Sequence, residues 1–433
     1  MIFRNARLLD ASRSIDLEKA DLWVQDGKIA AIEKPGVLAS KPGVTERDYQ
    51  GLWITPGLID AHVHFREPGF EHKETIHSGS RAAVAGGFTS VACMANTSPV
   101  NDQAVVTAFI REQARRHALC RVFPIGAVTR GLQGTELADI GSMIEAGAVA
   151  ISDDGMPVLN SKLMRHAMAY ASSFHVPVIS HAEDPHLSEG TCMHEGSHSF
   201  ALGLRGNPAA SEEIMVAREI ALARLTGARV HIAHLSTRLA LEHLRRAKSE
   251  GLPITAEVTP HHLTLDDGAV LGYQTFCKMA PPLRSSEDVE AMIQGLADGM
   301  IDMIATDHAP HSPLEKQAPF AQAPNGIIGL QTVVPVTLSL VRNGRVSLFR
   351  WLDALTSAPA RMLGIPHGTL AIGREADLCV IDPQRRWKFD SAQNASKSLN
   401  SPLLDSARSE MQGQVVETWV GGKQVFKSER NAR

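Results

Sequence analysis

The sequence predicts an α/β fold, a (β/α)8 barrel with a small β-sandwich domain built from both chain ends, on three observations. Eight short apolar runs alternate with longer amphipathic stretches through the middle of the chain. Those runs are apolar along most of their length, as strands covered on both faces of a parallel sheet must be. The two ends lack this alternation and read as short strands around glycine turns. The 433 residues exceed one ordinary domain, but a barrel alone uses about 250 residues, so a barrel with a satellite fits the length.

Residues 1 to 51 carry the hairpin signal Asp26-Gly27 inside ADLWVQDGKIAAIE. The expected barrel spans residues 52 to 367. Its strand-like runs are WITPGLIDAHVH (53 to 64), TSVACMAN (89 to 96), RVFPIGAV (121 to 128) and GAVAISDD (147 to 154), then VPVISHAE (176 to 183), ARVHIAHL (228 to 235), PITAEVT (253 to 259) and IDMIATDH (301 to 308). Helical spacing marks KETIHSGSRAAVAGG, DQAVVTAFIREQARRH, SKLMRHAMAYASSF, SEEIMVAREIALARLTG, TRLALEHLRRAKSEG and SEDVEAMIQGLADG. Residues 368 to 433 repeat the hairpin pattern at Gly421-Gly422. Neither end is long enough to bury a core alone, so the two are expected to pair.

Composition narrows the function. A net charge of -4, from 43 Lys+Arg against 47 Asp+Glu, provides no basic field for phosphate backbones, and no nucleic-acid partner is expected. Five scattered cysteines without a CxxC pair write neither a disulfide framework nor a thiolate zinc site, and a reducing cytoplasm is the expected location. The start lacks a basic segment followed by an apolar run, and no uncharged stretch reaches the roughly 18 residues that span a bilayer, so neither export nor a membrane partner is expected. The oddity is 19 histidines beside three tyrosines, which directs attention to metal chemistry.

A barrel carries its active site at the C-terminal ends of its strands. Here those ends are polar. His62 and His64, two apart in an extended run, project from one face and can meet one metal ion, although an isolated HxH also suits two unrelated surface histidines. Recurrence favours the metal: Asp153-Asp154 end the fourth run, His181 the fifth, His234 the sixth and Asp307 the eighth. This nitrogen and oxygen set suits Zn²⁺ and accepts Mn²⁺ or Co²⁺. His231, three before His234, is expected to face the other side of its strand, and it is read as structural together with His261, His262 and His308.

The segments DAHVHFREPG, MANTSPVND, ISDDG, HAED, HIAHLST, KMAPPLR, ATDHAPHSPLEK and APNGIIGL, in that order, resemble class I dihydroorotases of the cyclic amidohydrolase superfamily. The likeness extends to the terminal SKSLNSPLLD and TWVGGKQVF. It implies an amidohydrolase-type TIM barrel and a zinc-dependent enzyme that interconverts N-carbamoyl-L-aspartate and L-dihydroorotate in de novo pyrimidine (UMP) biosynthesis. A metal-bound hydroxide would be the nucleophile and Asp307, with a metal contact, the general base and acid. One or two Zn²⁺ per chain are implied, His62 and His64 on one, His181 and His234 on the other, with Asp154 bridging. The 27-residue spacing from Asp154 to His181 is the family's, which leaves Asp153 supporting the ligands.

The resemblance also assigns Arg66, Asn96 and His311 to the substrate carboxylate or carbamoyl group, and the backbone of Ala323, Pro324, Asn325 and Gly326 to the ring amide. A homodimer and an association with aspartate transcarbamoylase are further implied. One departure is Ala280 in KMAPPLR, where relatives carry a substrate-contacting Asn; a neighbouring backbone group or a water would take that contact. The competing readings are another cyclic amidohydrolase, such as an allantoinase or dihydropyrimidinase, and a non-catalytic scaffold for aspartate transcarbamoylase. The first commonly uses a bridging lysine and lacks the Arg66, Asn96 and His311 set; the second would have lost ligands that are all present here.

Overall fold

The computed structural model describes residues 1–40, 42–405 and 407–429. Eight parallel strands follow in chain order around one sheet: Leu58–Val63, Phe88–Cys93, Arg121–Gly126, Ala150–Ser152, Val178–Ser180, Val230–Ile232, Ile254–Val258 and Met303–Ile304. Each lies within or beside the run expected for it. The ring closes where Val63 bridges His308 and the His64 N–H donates to the His308 carbonyl at 2.9 Å. Asp60 reinforces the seam, its carboxylate accepting from the Thr306 hydroxyl at 2.6 Å and the Thr306 N–H at 3.2 Å. Burial draws the Asp60 carboxyl up to about 7, against the bonds from Thr306 and His62.

Period-two alternation explains the two apolar layers. Val178, Val230 and Ile151 turn outward to the helices, while Ile59, Ala92, Ile125, Ala150, Ile179 and Met303 fill the barrel interior. The helix Ser357–Leu363 adds Ala358, Ala360, Met362 and Leu363 to that interior cluster. All six amphipathic stretches are helical, and Ile140–Glu145, Val333–Arg342, Leu348–Leu355 and Ser357–Leu363 complete the shell.

A second sheet joins the two ends of the chain: Ile2–Asp10, Ile15–Gln25 and Lys28–Glu33 pair through Trp53–Pro56 with Leu378–Lys388, Glu410–Val420 and Lys423–Lys427, and Glu46–Asp48 adds to Ile2–Asp10. Phe3, Leu22, Ile29, Val380 and Trp419, distant along that sheet, share one core, so the sheet closes over its own interior. Both hairpins turn where expected. Asp26, Gly27, Gly421 and Gly422 all have positive φ, and the turns abut so closely that a Cβ on Gly27 would lie 2.8 Å from the Gly421 carbonyl. The run 53 to 64 is a correction: Trp53–Pro56 belongs to this terminal sheet, and the barrel strand starts at Leu58. Gly57 makes the break, lying against Thr89 with its N–H on the Asp377 carbonyl.

Candidate metal centre

The first barrel strand aims its histidines by an irregularity. Ile59 and Ala61 face the interior, so simple alternation would turn His62 outward; the register shifts between Asp60 and Val63, and Val63 turns outward instead. His62 and His64 therefore both reach the Asp307 carboxylate, whose Oδ1 lies 3.6 Å from His62 Nε2 and 3.0 Å from His64 Nε2. Asp154 stands at the centre. Its Oδ1 is 3.5 Å from His62 Nε2, 3.6 Å from His181 Nδ1 and 3.5 Å from His234 Nε2, and its Oδ2 is 3.4 Å from His64 Nε2. All six expected ligand residues meet in one buried cluster.

Ligands held about 2.0–2.1 Å from a tetrahedral zinc stand about 3.3–3.4 Å from one another. Most of the separations above are of that size, too long for hydrogen bonds and short enough for a shared cation. His62 Nε2 and Asp154 Oδ1 are buried without a hydrogen-bond partner. Two triads, His62 with His64 and Asp307, and His62 with Asp154 and His234, keep their donor atoms within 4.8 Å of one another. The donor set thus fits a divalent metal ion.

Electrostatics agree. Burial opposes ionisation of Asp154, but the facing His62, His181 and His234 outweigh it and hold the carboxyl well below the carboxylate range. Burial likewise opposes the His181 imidazolium, yet Asp154 and Glu183 raise it to about 10. The carboxylates demand positive charge here, and a cation can replace those protons.

Supporting groups orient the rings. His62 Nδ1 donates to Glu257 Oε1 at 2.6 Å and His64 Nδ1 to Asn96 Oδ1 at 2.9 Å, which turns both Nε2 lone pairs to the centre. Glu257 is fully buried in the seventh strand and also meets His231 Nε2 at 3.0 Å. His231 thus corrects the expectation that it faces away: it lies under the site, holding the carboxylate that holds His62. Sequence reading missed Glu257, although an acidic residue inside the apolar run PITAEVT was its signal. Asp153 turns from the centre and accepts the Val128 and Thr129 N–H groups at 2.7 and 3.1 Å. His262 bonds Thr259 and the Pro281 carbonyl, and His308 accepts the Gly329 N–H.

Arg66 follows His64, with Nε on the Pro310 carbonyl at 3.3 Å. Arg66, His234 and Asp307 have φ of 63°, 32° and 46°, left-handed conformations that non-glycine residues rarely adopt and that cluster at functional sites. Asn96 turns its oxygen to His64 Nδ1, and its amide N–H groups have no acceptor among the described residues. His311 Nε2 donates to the Asn325 carbonyl at 2.8 Å, and burial together with Arg66, Lys73 and Lys316 draws its imidazolium down to about 3, so the ring is neutral. Gly326 closes against it: with φ at 141°, a Cβ there would come within 2.7 Å of the Ala309 carbonyl.

A family model described as dihydro-orotase-like matches residues 51–240. The chain is 51% identical over 404 residues to a dihydroorotase of Solibacter usitatus, covering 93% of each chain. It is 49% identical over 428 residues to a dihydroorotase of Syntrophobacter fumaroxidans, covering 98% of this chain and 96% of the relative. Among solved structures, the L-hydantoinase (dihydropyrimidinase) of Arthrobacter aurescens superposes with a TM-score of 0.87 at 26% identity, over 98% of this chain and 96% of that one. With about half its residues shared with dihydroorotases across nearly its whole length, and with the barrel and polar strand ends described above, the chain belongs to the dihydroorotase family.

Proposed function

We propose that the centre holds one or two Zn²⁺ ions and that Asp307 moves the proton in the reversible cyclisation of N-carbamoyl-L-aspartate to L-dihydroorotate. The observation that carries this reading is the convergence of Asp154 and Asp307 on the Nε2 atoms of His62 and His64, with His181 and His234 meeting the same Asp154 Oδ1 as His62. An all-nitrogen and oxygen donor set favours zinc. When bound, such an ion polarises the amide carbonyl and acidifies water at that carbonyl.

The chain's residues do the rest. In the hydrolytic direction a water oxygen forms a bond to the ring carbonyl carbon and the ring C–N bond breaks. Asp307 takes the water proton and returns it to the departing ring nitrogen, and ring closure reverses the transfer. Arg66 offers a planar fork to the substrate carboxylate, Asn96 adds its amide N–H groups, and His311 joins them. The backbone of Ala323, Pro324, Asn325 and Gly326 lies along the ring amide.

Steady-state turnover of dihydroorotate, allantoin, dihydrouracil and hydantoin by the metal-loaded protein tests the substrate assignment. Dihydroorotate is expected to turn over at least about 100-fold faster than the rest, because a site with donors for a carboxylate leaves them unpaired on a substrate without one. Preference for dihydrouracil or hydantoin would overturn it. Glu257→Gln is expected to weaken metal affinity about 10- to 100-fold by loosening His62, as read by competition with a chelating dye.

Cytoplasmic location, a homodimer and a partnership with aspartate transcarbamoylase belong to the same reading. Among the described residues, no helix is long and apolar enough to cross a membrane.

A further inference from the structure

Four consecutive carbonyl oxygens, those of residues 323 to 326, are each taken by a side-chain donor. Lys278 Nζ donates to the Ala323 carbonyl at 2.7 Å, Lys316 Nζ to Pro324 at 2.8 Å, His311 Nε2 to Asn325 at 2.8 Å and Asn400 Nδ2 to Gly326 at 3.1 Å. The donors come from well-separated parts of the chain. Lys278 opens KMAPPLR, Lys316 ends the short helix Pro313–Lys316, and Asn400 lies beyond the barrel in SKSLNSPLLD.

Two features make this more than ordinary loop packing. Lys278 and Lys316 are 5% and 1% exposed, yet neither ammonium has an ion-pair partner among the described residues; each spends its donors on carbonyl groups, Lys278 also on Ala321 and Lys316 also on Lys278. Burying two amines without a carboxylate partner is costly: burial and the neighbouring Lys278 draw the Lys316 ammonium down to about 7, and Lys278 Nζ has only the Phe320 ring, 5.6 Å from its centroid, beside its carbonyl partners. Asn400, 1% exposed, ties two stretches of backbone: besides Gly326, its Nδ2 donates to Ala309 at 2.8 Å, and its Oδ1 accepts the His311 N–H at 3.1 Å. One amide therefore couples the segment behind Asp307 to the segment 323 to 326.

All four carbonyl groups are engaged by these donors, the Ala323 and Gly326 N–H groups donate to the Pro319 and Lys278 carbonyls at 2.9 Å each, and Pro324 has no N–H, so the Asn325 N–H is left without a hydrogen-bond partner among the described residues. We propose that Lys278, Lys316 and Asn400 are positioning residues that hold the backbone of residues 323 to 326 so that its one uncommitted N–H, that of Asn325, stays available to the anionic substrate. This rests on the reading that this segment faces the substrate. It also bears on Ala280: two residues after Lys278, the chain lacks a side-chain donor, and the Asn325 N–H supplies one donor from the backbone.

The test uses the full metal-loaded chain with Lys316→Met, Lys278→Met and Asn400→Ala. Each is measured for KM and kcat with dihydroorotate, for metal content, and for amide hydrogen exchange over residues 317 to 328. KM is expected to rise about tenfold in each, with kcat within about threefold, metal content unchanged and exchange faster. Asn400→Ala alters no charge, so a KM rise confined to the two lysine variants would overturn positioning in favour of a simple field effect. Unchanged exchange in all three variants would also overturn it. Faster exchange with unaltered KM would instead sink the substrate-facing reading on which the proposal rests. If one lysine variant fails to fold, the other variants carry the same comparison.

Discussion

Asp307→Asn is expected to lower kcat by about 10³-fold while the metal stays bound. The substitution keeps the shape and one oxygen but removes the basic oxygen that takes a proton, and positioned general bases contribute about 10²–10⁴-fold. Asp307 Oδ1 faces His62 Nε2 at 3.6 Å and His64 Nε2 at 3.0 Å, so an amide oxygen there can still face the same metal position. Burial opposes ionisation of Asp307, but His62 and His64 hold its carboxyl below the usual range, so it is ionised at neutral pH. Metal analysis beside steady-state kinetics checks the claim. Retained kcat would remove Asp307 from proton transfer, and lost metal would show that its role is to bind.

The adjacent aspartates give the second large effect, because they share a sequence and not an environment. Asp154→Ala removes the one carboxylate that faces His62, His64, His181 and His234 together; metal content and turnover are both expected to fall to background. Asp153→Ala leaves that cluster alone. It strips the acceptor from the buried N–H groups of Val128 and Thr129, and from the Thr129 hydroxyl, which should cost about 2–4 kcal/mol of stability while metal content holds. Thermal melts and metal analysis of the two variants separate the roles. Loss of metal in Asp153→Ala with retention in Asp154→Ala would exchange the assignments.

The sequence made the barrel legible because its strands are buried on both faces, and apolar runs such as VPVISHAE and ARVHIAHL carry that condition in composition alone. Local pattern cannot say which sheet a run joins, so WITP and LIDAHV read as one strand although they pair with different partners. Val333–Arg342 went unread for a different reason. It carries Pro335 and several β-branched residues, but the proline sits in the first turn, where a missing N–H costs nothing.

The site divides along the same line. His62, His64, Asp154, His181, His234 and Asp307 stand at strand ends, where chain position alone indicates convergence. Glu257 was visible only as a charge in an apolar run, and Asn400 not at all, because its partners Ala309 and Gly326 lie 91 and 74 residues away. For His231, alternation failed past Ile232, where the regular strand ends.

The central claim is that the buried histidine and aspartate cage holds the metal on which dihydroorotate turnover depends. Its most direct test is to strip the protein with a chelator, return Zn²⁺ in steps, and measure bound metal and turnover in the same samples. The account predicts an inactive stripped protein whose activity rises with bound zinc and saturates at one or two equivalents per chain. Full turnover by the metal-free protein would contradict it.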